Sequence, residues 1–268
     1  MIALSQALAF LRRDLLLQSS YRLAFLLNLV GILFSVAIFY YLGELIGPAI
    51  EGRLGGTDYF SFVLIGIAFY NYLGTALNSF SGNIRQAQLT GTLEPVLVTP
   101  VAIPTMLFGS SLYSFLYTSL TAVAYLVVAA IFFDFDLSRA NLAAAFLTLG
   151  LTVLAFSGLG ILSASFTLRW KRGDPLAFFL GTASALLGGV YFPIEIIPDW
   201  LERVAAWIPL TYALTAMRGA LLEGATVSRL AGDLAVLAAF AVVLVPLSVL
   251  AFSRALIAAR RAGTISQY

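Results

Sequence analysis

Asn83 to Pro104 reads NIRQAQLTGTLEPVLVTPVAIP, a polar stretch set between long apolar runs that carry almost no charge. Gly91, Pro95, Pro100 and Pro104 punctuate it, as turn and stop residues do. Arg85, Gln86, Gln88 and Glu94 supply polar positions, while Ile84, Leu89, Leu93, Val96 and Leu97 recur at roughly helical spacing. A segment of this pattern between apolar runs is a structured loop at a membrane surface. It is able to lie along an interface and present one side to a partner.

Working outward, the chain of 268 residues is 61% hydrophobic and 10% charged, with a mean hydropathy of +0.97. A soluble domain of that make-up would expose far too much apolar surface. Apolar runs long enough to cross a hydrocarbon core of about 30 Å recur, so the expected fold is an all-α polytopic membrane protein with about six transmembrane helices. The spans are expected at about 23–42, 59–80, 105–133, 142–166, 175–191 and 234–252, the fifth being short. GELIGPAIEGRLGGTD after the first span reads as a turn-rich connection. Residues 3–18 read as an N-terminal interfacial helix, with Leu4, Leu8, Leu11 and Leu15 opposed to Gln6, Arg12, Arg13 and Asp14. An ordinary helical start to the first span fits the same residues. The opening residues lack the pattern of a cleaved signal peptide, so insertion is expected to use the first retained span. Residues 1–268 are read as one membrane domain, with no length left for a sizeable soluble one.

Before the last span, residues 191–230 carry Pro193, Pro198 and Pro209 together with several charges. Irregular backbone at lipid depth must be sheltered by protein or water, so this is read as a broken, re-entrant outer region. Ten of the 15 Lys and Arg residues fall in the connections on the N-terminal side. That bias puts both termini and residues 83–104 in the cytoplasm.

Several chemistries are excluded. There is no Cys and no His, which removes disulfides, thiol chemistry, a histidine base and the usual zinc or haem ligands. No GxxxxGK[ST] occurs, so any nucleotide hydrolysis belongs to another polypeptide. The interiors of the predicted spans hold no Asp, Glu, Lys or Arg, which argues against an ion-coupled carrier or a charged selectivity filter. The arginines are scattered and form no basic field, so nucleic acid is not an expected partner.

Two segments carry a resemblance. GTLEPVLVTPV (Gly91 to Val101) and YFPIEIIPDWLERVAAWIPLTYALTAMRGALLEG (Tyr191 to Gly224) resemble paired motifs of the permease subunit of ABC-2-type exporters. That family exports drugs and other small amphiphiles, lipo-oligosaccharides and lipid-linked polysaccharides. The resemblance implies that the loop 83–104 contains a coupling helix docking on a separate ATPase, with Arg85, Thr92, Leu93, Glu94 and Leu97 in it and Thr99 and Pro100 ending it. It implies that Pro193, Pro198, Trp200, Pro209, Tyr212 and Arg218 shape small re-entrant helices outside. Leu93 and Leu97 are expected to anchor in an apolar pocket of the partner, and Arg218 to seek the interface or a carboxylate such as Glu195 or Glu223. The chain itself would need no cofactor; ATP and Mg would sit on two ATPase subunits. A second permease subunit and membrane lipids complete the expected partners, in the inner membrane of a prokaryote. A hydrophobic small molecule or lipid ranks first as substrate, a lipid-linked glycan second. A non-transporting scaffold recruiting a soluble protein through 85–104, and an ion-driven carrier, are the rivals from other classes.

Overall fold

A computed structural model describes residues 2–18, 22–50, 52, 54, 57–99, 101–170 and 175–262. It is all-helical over these residues: α1 (Ile2–Gln18), α2 (Arg22–Ile50), α3 (Tyr59–Leu89), α4 (Leu93–Val98), α5 (Ile103–Phe132), α6 (Leu142–Trp170), α7 (Pro175–Leu187), α8 (Asp199–Ala205), α9 (Pro209–Leu221) and α10 (Ala231–Arg261). Among the described residues, α2, α3, α5, α6 and α10 are long and apolar enough to cross a membrane, and α7 is a shorter apolar helix of 13 residues. At 1.5 Å per residue α7 reaches only about 20 Å, short of the hydrocarbon thickness, and a turn at Gly188–Val190 ends it. The sixth apolar segment therefore exists but does not match the other five in length.

Three boundaries differ from expectation. Helix α2 runs on through Gly43 and Pro48 to Ile50, where a turn-rich connection was expected. Proline in a last turn forfeits a single backbone bond, and the helix tolerates it there. Helix α3 continues to Leu89, so residues 83–89 are helix and not loop. Arg85 thus stands on the end of a span. Helix α10 likewise extends to Arg261, past the expected end at Phe252.

Helix α3 is the axis of the fold. Within its apolar window 72% is buried, against 11% for α2, 17% for α5 and 22% for α10. Asp58 caps its first turn through Ser61 N–H at 2.9 Å, satisfying a donor that has no partner inside the helix. Lipid supplies no hydrophobic force between helices, so close packing and polar contacts must hold them. Both are present. A Cβ at Gly160 of α6 would collide with the Ala76 carbonyl of α3, and one at Gly158 with Leu244 of α10. Thr75 and Thr118 share a hydroxyl hydrogen bond of 2.6 Å between α3 and α5, and Asn83 donates to the Ser110 carbonyl at 2.7 Å. Asn28 of α2 donates to Tyr117 of α5 at 2.7 Å. The core built round Tyr72, Phe80, Phe156 and Phe252 is continuous through α3, α6, α9 and α10.

Candidate functional site

At its Leu89 end α3 turns sharply into α4. Thr90 caps α3, and Gly91 follows at φ +67°, a left-handed conformation that glycine adopts without steric penalty. Thr92 then precedes Leu93, Glu94 and Pro95, which form the first turn of α4. Pro95 is tolerated because backbone N–H groups in a first turn have no intrahelical acceptor, and Glu94 there complements the helix dipole. Thr99 ends the helix, its hydroxyl donating to the Val96 carbonyl at 2.6 Å. Pro100 lies outside the described residues.

The anchoring differs from what spacing suggested. Leu93 is 3% exposed and belongs to the chain's own core, with Val96 and Leu97 packed beside it. It fixes α4 to the bundle and is not available to a partner's pocket. The apolar groups that α4 and the last turn of α3 leave in the open are Val98, 87% exposed, and Leu89, 55% exposed. Arg85, Gln86, Glu94 and Pro95 are exposed around them. A long hydrogen bond of 3.5 Å from Arg260 to the Leu97 carbonyl joins α4 to the end of α10.

At the opposite end of α3 the prolines begin helices. Pro193 precedes a short 3-10 turn, Ile194–Ile196, Pro198 precedes α8, and Pro209 opens α9. A fixed φ and a missing N–H suit the first position of a helix, so the charges and prolines of 191–224 encode short helices with tight joints. Thr211 and Tyr212 tie α9 to α8 by donating to the Ala205 and Ala206 carbonyls, both at 3.0 Å. Trp200 and Trp207 are 65% and 80% exposed on the rim, as interfacial aromatic residues are.

Arg218 of α9 corrects the expectation of a carboxylate partner. Its guanidinium donates to three backbone carbonyls: Phe62 at 2.8 and 3.1 Å, Gly189 at 2.9 Å and Val190 at 3.4 Å. It also lies over the Phe62 ring at 3.4 Å from the centroid, a cation–π contact. Glu223 pairs with Arg229 at 3.1 Å, and Glu195 and Glu223 share with Arg218 the lining of a cavity of about 420 Å³. The clasp needs Gly66, where a Cβ would strike the Val190 carbonyl. Spacing of charges pointed to Arg218 but could not point to Gly66, whose role exists only when α7 arrives beside it.

Between these ends lies a groove of about 590 Å³ along α3, walled by α6 and α7. Tyr70, Gly74, Asn78, Gly82 and Arg85 follow one face of α3 at intervals of three or four residues, facing Phe178, Gly181 and Thr182 of α7 and Thr167 of α6. Among the described residues that line it there is no carboxylate. A Cβ at Gly74 or Gly82 would meet nothing within 4 Å, so packing within the chain does not require glycine there. The sequence reading named Arg85 for coupling but not the ladder of Gly74, Asn78 and Gly82, although the recurrence of polar and small residues every fourth position inside an apolar span was a visible sign.

Residues 5–222 match the family model described as ABC-2 type transporter. The chain is 24% identical over 179 residues to the inner membrane transport permease YadH of Escherichia coli (strain K12), spanning 66% of this chain and 68% of that one. It is 24% identical over 177 residues to nodulation protein J of Neorhizobium galegae, covering 64% and 65% of the two chains. Over 109 residues it is 25% identical to the linearmycin resistance permease protein LnrN of Bacillus subtilis (strain 168), covering 41% of this chain and 28% of that one. With four-fifths of its length matched by the family model, and long apolar helices arranged round a buried one, the chain belongs to the ABC-2 type transporter family as a multi-pass membrane permease subunit.

Proposed function

We propose that this permease is the membrane half of an ATP-driven exporter, that its ATPase partners seat on the exposed side of α4, and that α3 carries their movement outward. The observation that supports this reading is the continuity of α3. One buried helix of 31 residues runs from the turn carrying Glu94 and Val98 to the Arg218 clasp. A displacement imposed on α4 is passed to α3 through Leu93 in the core, and to α10 through Arg260.

Two ATPase subunits, with ATP and Mg bound on them, would drive a pair of permeases, because one groove open on one side is half of an enclosed path. Both termini are assigned to the cytoplasm of the inner membrane by the Lys and Arg bias. The groove mixes Tyr70 and Phe178 with hydroxyl and amide groups and places Arg85 at one end. That lining suits a hydrophobic small molecule or lipid with a polar head; a lipid-linked glycan is the second reading, favoured by the same hydroxyl-bearing side chains.

ATP turnover of the permease–ATPase complex in lipid nanodiscs tests the assignment. Glu94→Ala and Val98→Asp are expected to leave the permease folded and to abolish its stimulation of turnover. Stimulation unchanged in both variants removes α4 as the coupling element and favours the scaffold or ion-driven rivals.

A further inference from the structure

The seam between α3 and α5 carries more hydroxyl groups than it uses. Two hydrogen bonds cross it: Thr75 and Thr118 share one at 2.6 Å, and Asn83 donates to the Ser110 carbonyl at 2.7 Å. The helices are antiparallel, so the eight residues from Thr75 to Asn83 are matched by eight counted back from Thr118 to Ser110. Ser79 lies midway on the same face of α3, one turn from each. Yet among the described residues the Ser79 and Ser111 hydroxyls are buried without a hydrogen-bond partner, and Ser111 is 0% exposed. Other hydroxyls in the spans, those of Ser81, Thr148, Thr152 and Ser165, donate to the carbonyl one turn back. A buried polar group left unpaired in a span is costly unless another conformation uses it.

We infer that α3 and α5 have two registers one helical turn apart, and that this structure shows one of them. Advancing α5 by about 5.4 Å toward its Phe132 end brings Ser111 level with Ser79 and Ser114 level with Thr75. Asn83 then meets the backbone near Leu107, where carbonyls recur at each turn. The two idle hydroxyls gain partners, so the shift exchanges hydrogen bonds at a depth where water does not replace lost ones. The moving element is α5. A close contact between Gly160 and the Ala76 carbonyl locks α3 to α6, whereas only 17% of the apolar window of α5 is buried. The Phe80 ring lies 6.1 Å from those of both Phe108 and Phe115, which makes the registers discrete positions, as packed seams are bistable and not continuously deformable. Because α4 joins α3 to α5, the driver rests on the proposed function: an ATPase that moves α4 selects the register.

The cysteine-free chain allows each register to be trapped by a disulfide in the permease–ATPase complex in nanodiscs, with and without ATP and vanadate. Thr75→Cys with Thr118→Cys should close in one nucleotide state and Ser79→Cys with Ser111→Cys in the other, each favoured on the order of tenfold in its own state. Ser79→Ala with Ser111→Ala gives a second readout. It should leave thermal stability unchanged or higher and lower ATPase stimulation on the order of tenfold, because only the second register loses a bond. A seam with a purely structural role would lose no stimulation. The inference is overturned if the cysteines at 79 and 111 join in neither state, if both pairs join equally in both, or if the alanine pair stimulates as wild type does. Stimulation lost in Val98→Asp while the disulfides do not switch refutes the two registers and leaves the coupling role of α4 standing. Stimulation retained in Val98→Asp counts against α4, and the disulfides still decide the registers.

Discussion

The two ends of α3 are finished in opposite ways. At the Tyr59 end a charged side chain, Arg218, donates from Nε and Nη2 to three carbonyls of the same chain. At the Leu89 end apolar side chains, Val98 and Leu89, are left exposed. The first arrangement is built from groups of the same chain; the second is where the proposed function seats the ATPase. Residues at the Tyr59 end should therefore govern whether the permease folds, and residues at the Leu89 end whether a folded permease communicates.

Thermal stability of purified variants in detergent separates the two ends. Arg218→Gln should show the largest loss, about 3 kcal/mol, because carbonyls that were satisfied lose a charged donor in a sheltered site. Gly66→Ala should follow at about 2 kcal/mol, since the added methyl group forces Val190 away and stretches the same clasp. Leu93→Ala should cost about 2 kcal/mol or slightly less, as a large-to-small change at the edge of the core. It should also lower ATPase stimulation, because α4 would no longer be held to α3. Val98→Asp should change stability by less than about 0.5 kcal/mol, as surface substitutions do. A large loss for Val98→Asp, or none for Arg218→Gln, would erase the contrast between the ends.

Much of this was legible in the sequence. Hydropathy found the long spans, and Gly91 and Pro95 marked the turn and the short helix between α3 and α5. Where reading failed, the cause was tertiary. Periodicity gave Leu93 and Leu97 an apolar side, but only packing reveals that this side belongs to the chain's own core and that Val98 faces out. Local chemistry put Pro48 in a turn-rich connection and residues 83–89 in a loop, yet both sit in helices, and Asn83 there donates its amide to the Ser110 carbonyl of α5. For Arg218 the expectation was the interface or a carboxylate, and backbone carbonyls of Phe62 in α3 and of Gly189 and Val190 after α7 accept its hydrogen bonds.

The absence of cysteine makes one measurement direct. Single cysteines introduced at Val98 and at Leu93 can be treated with a short bifunctional thiol–amine reagent in the assembled permease–ATPase complex. Cross-linking of Val98→Cys to the ATPase, with Leu93→Cys protected, is the expected result. Equal labelling of both positions, or no ATPase adduct at Val98, would contradict the assignment of the exposed side of α4 as the surface through which the transporter is driven.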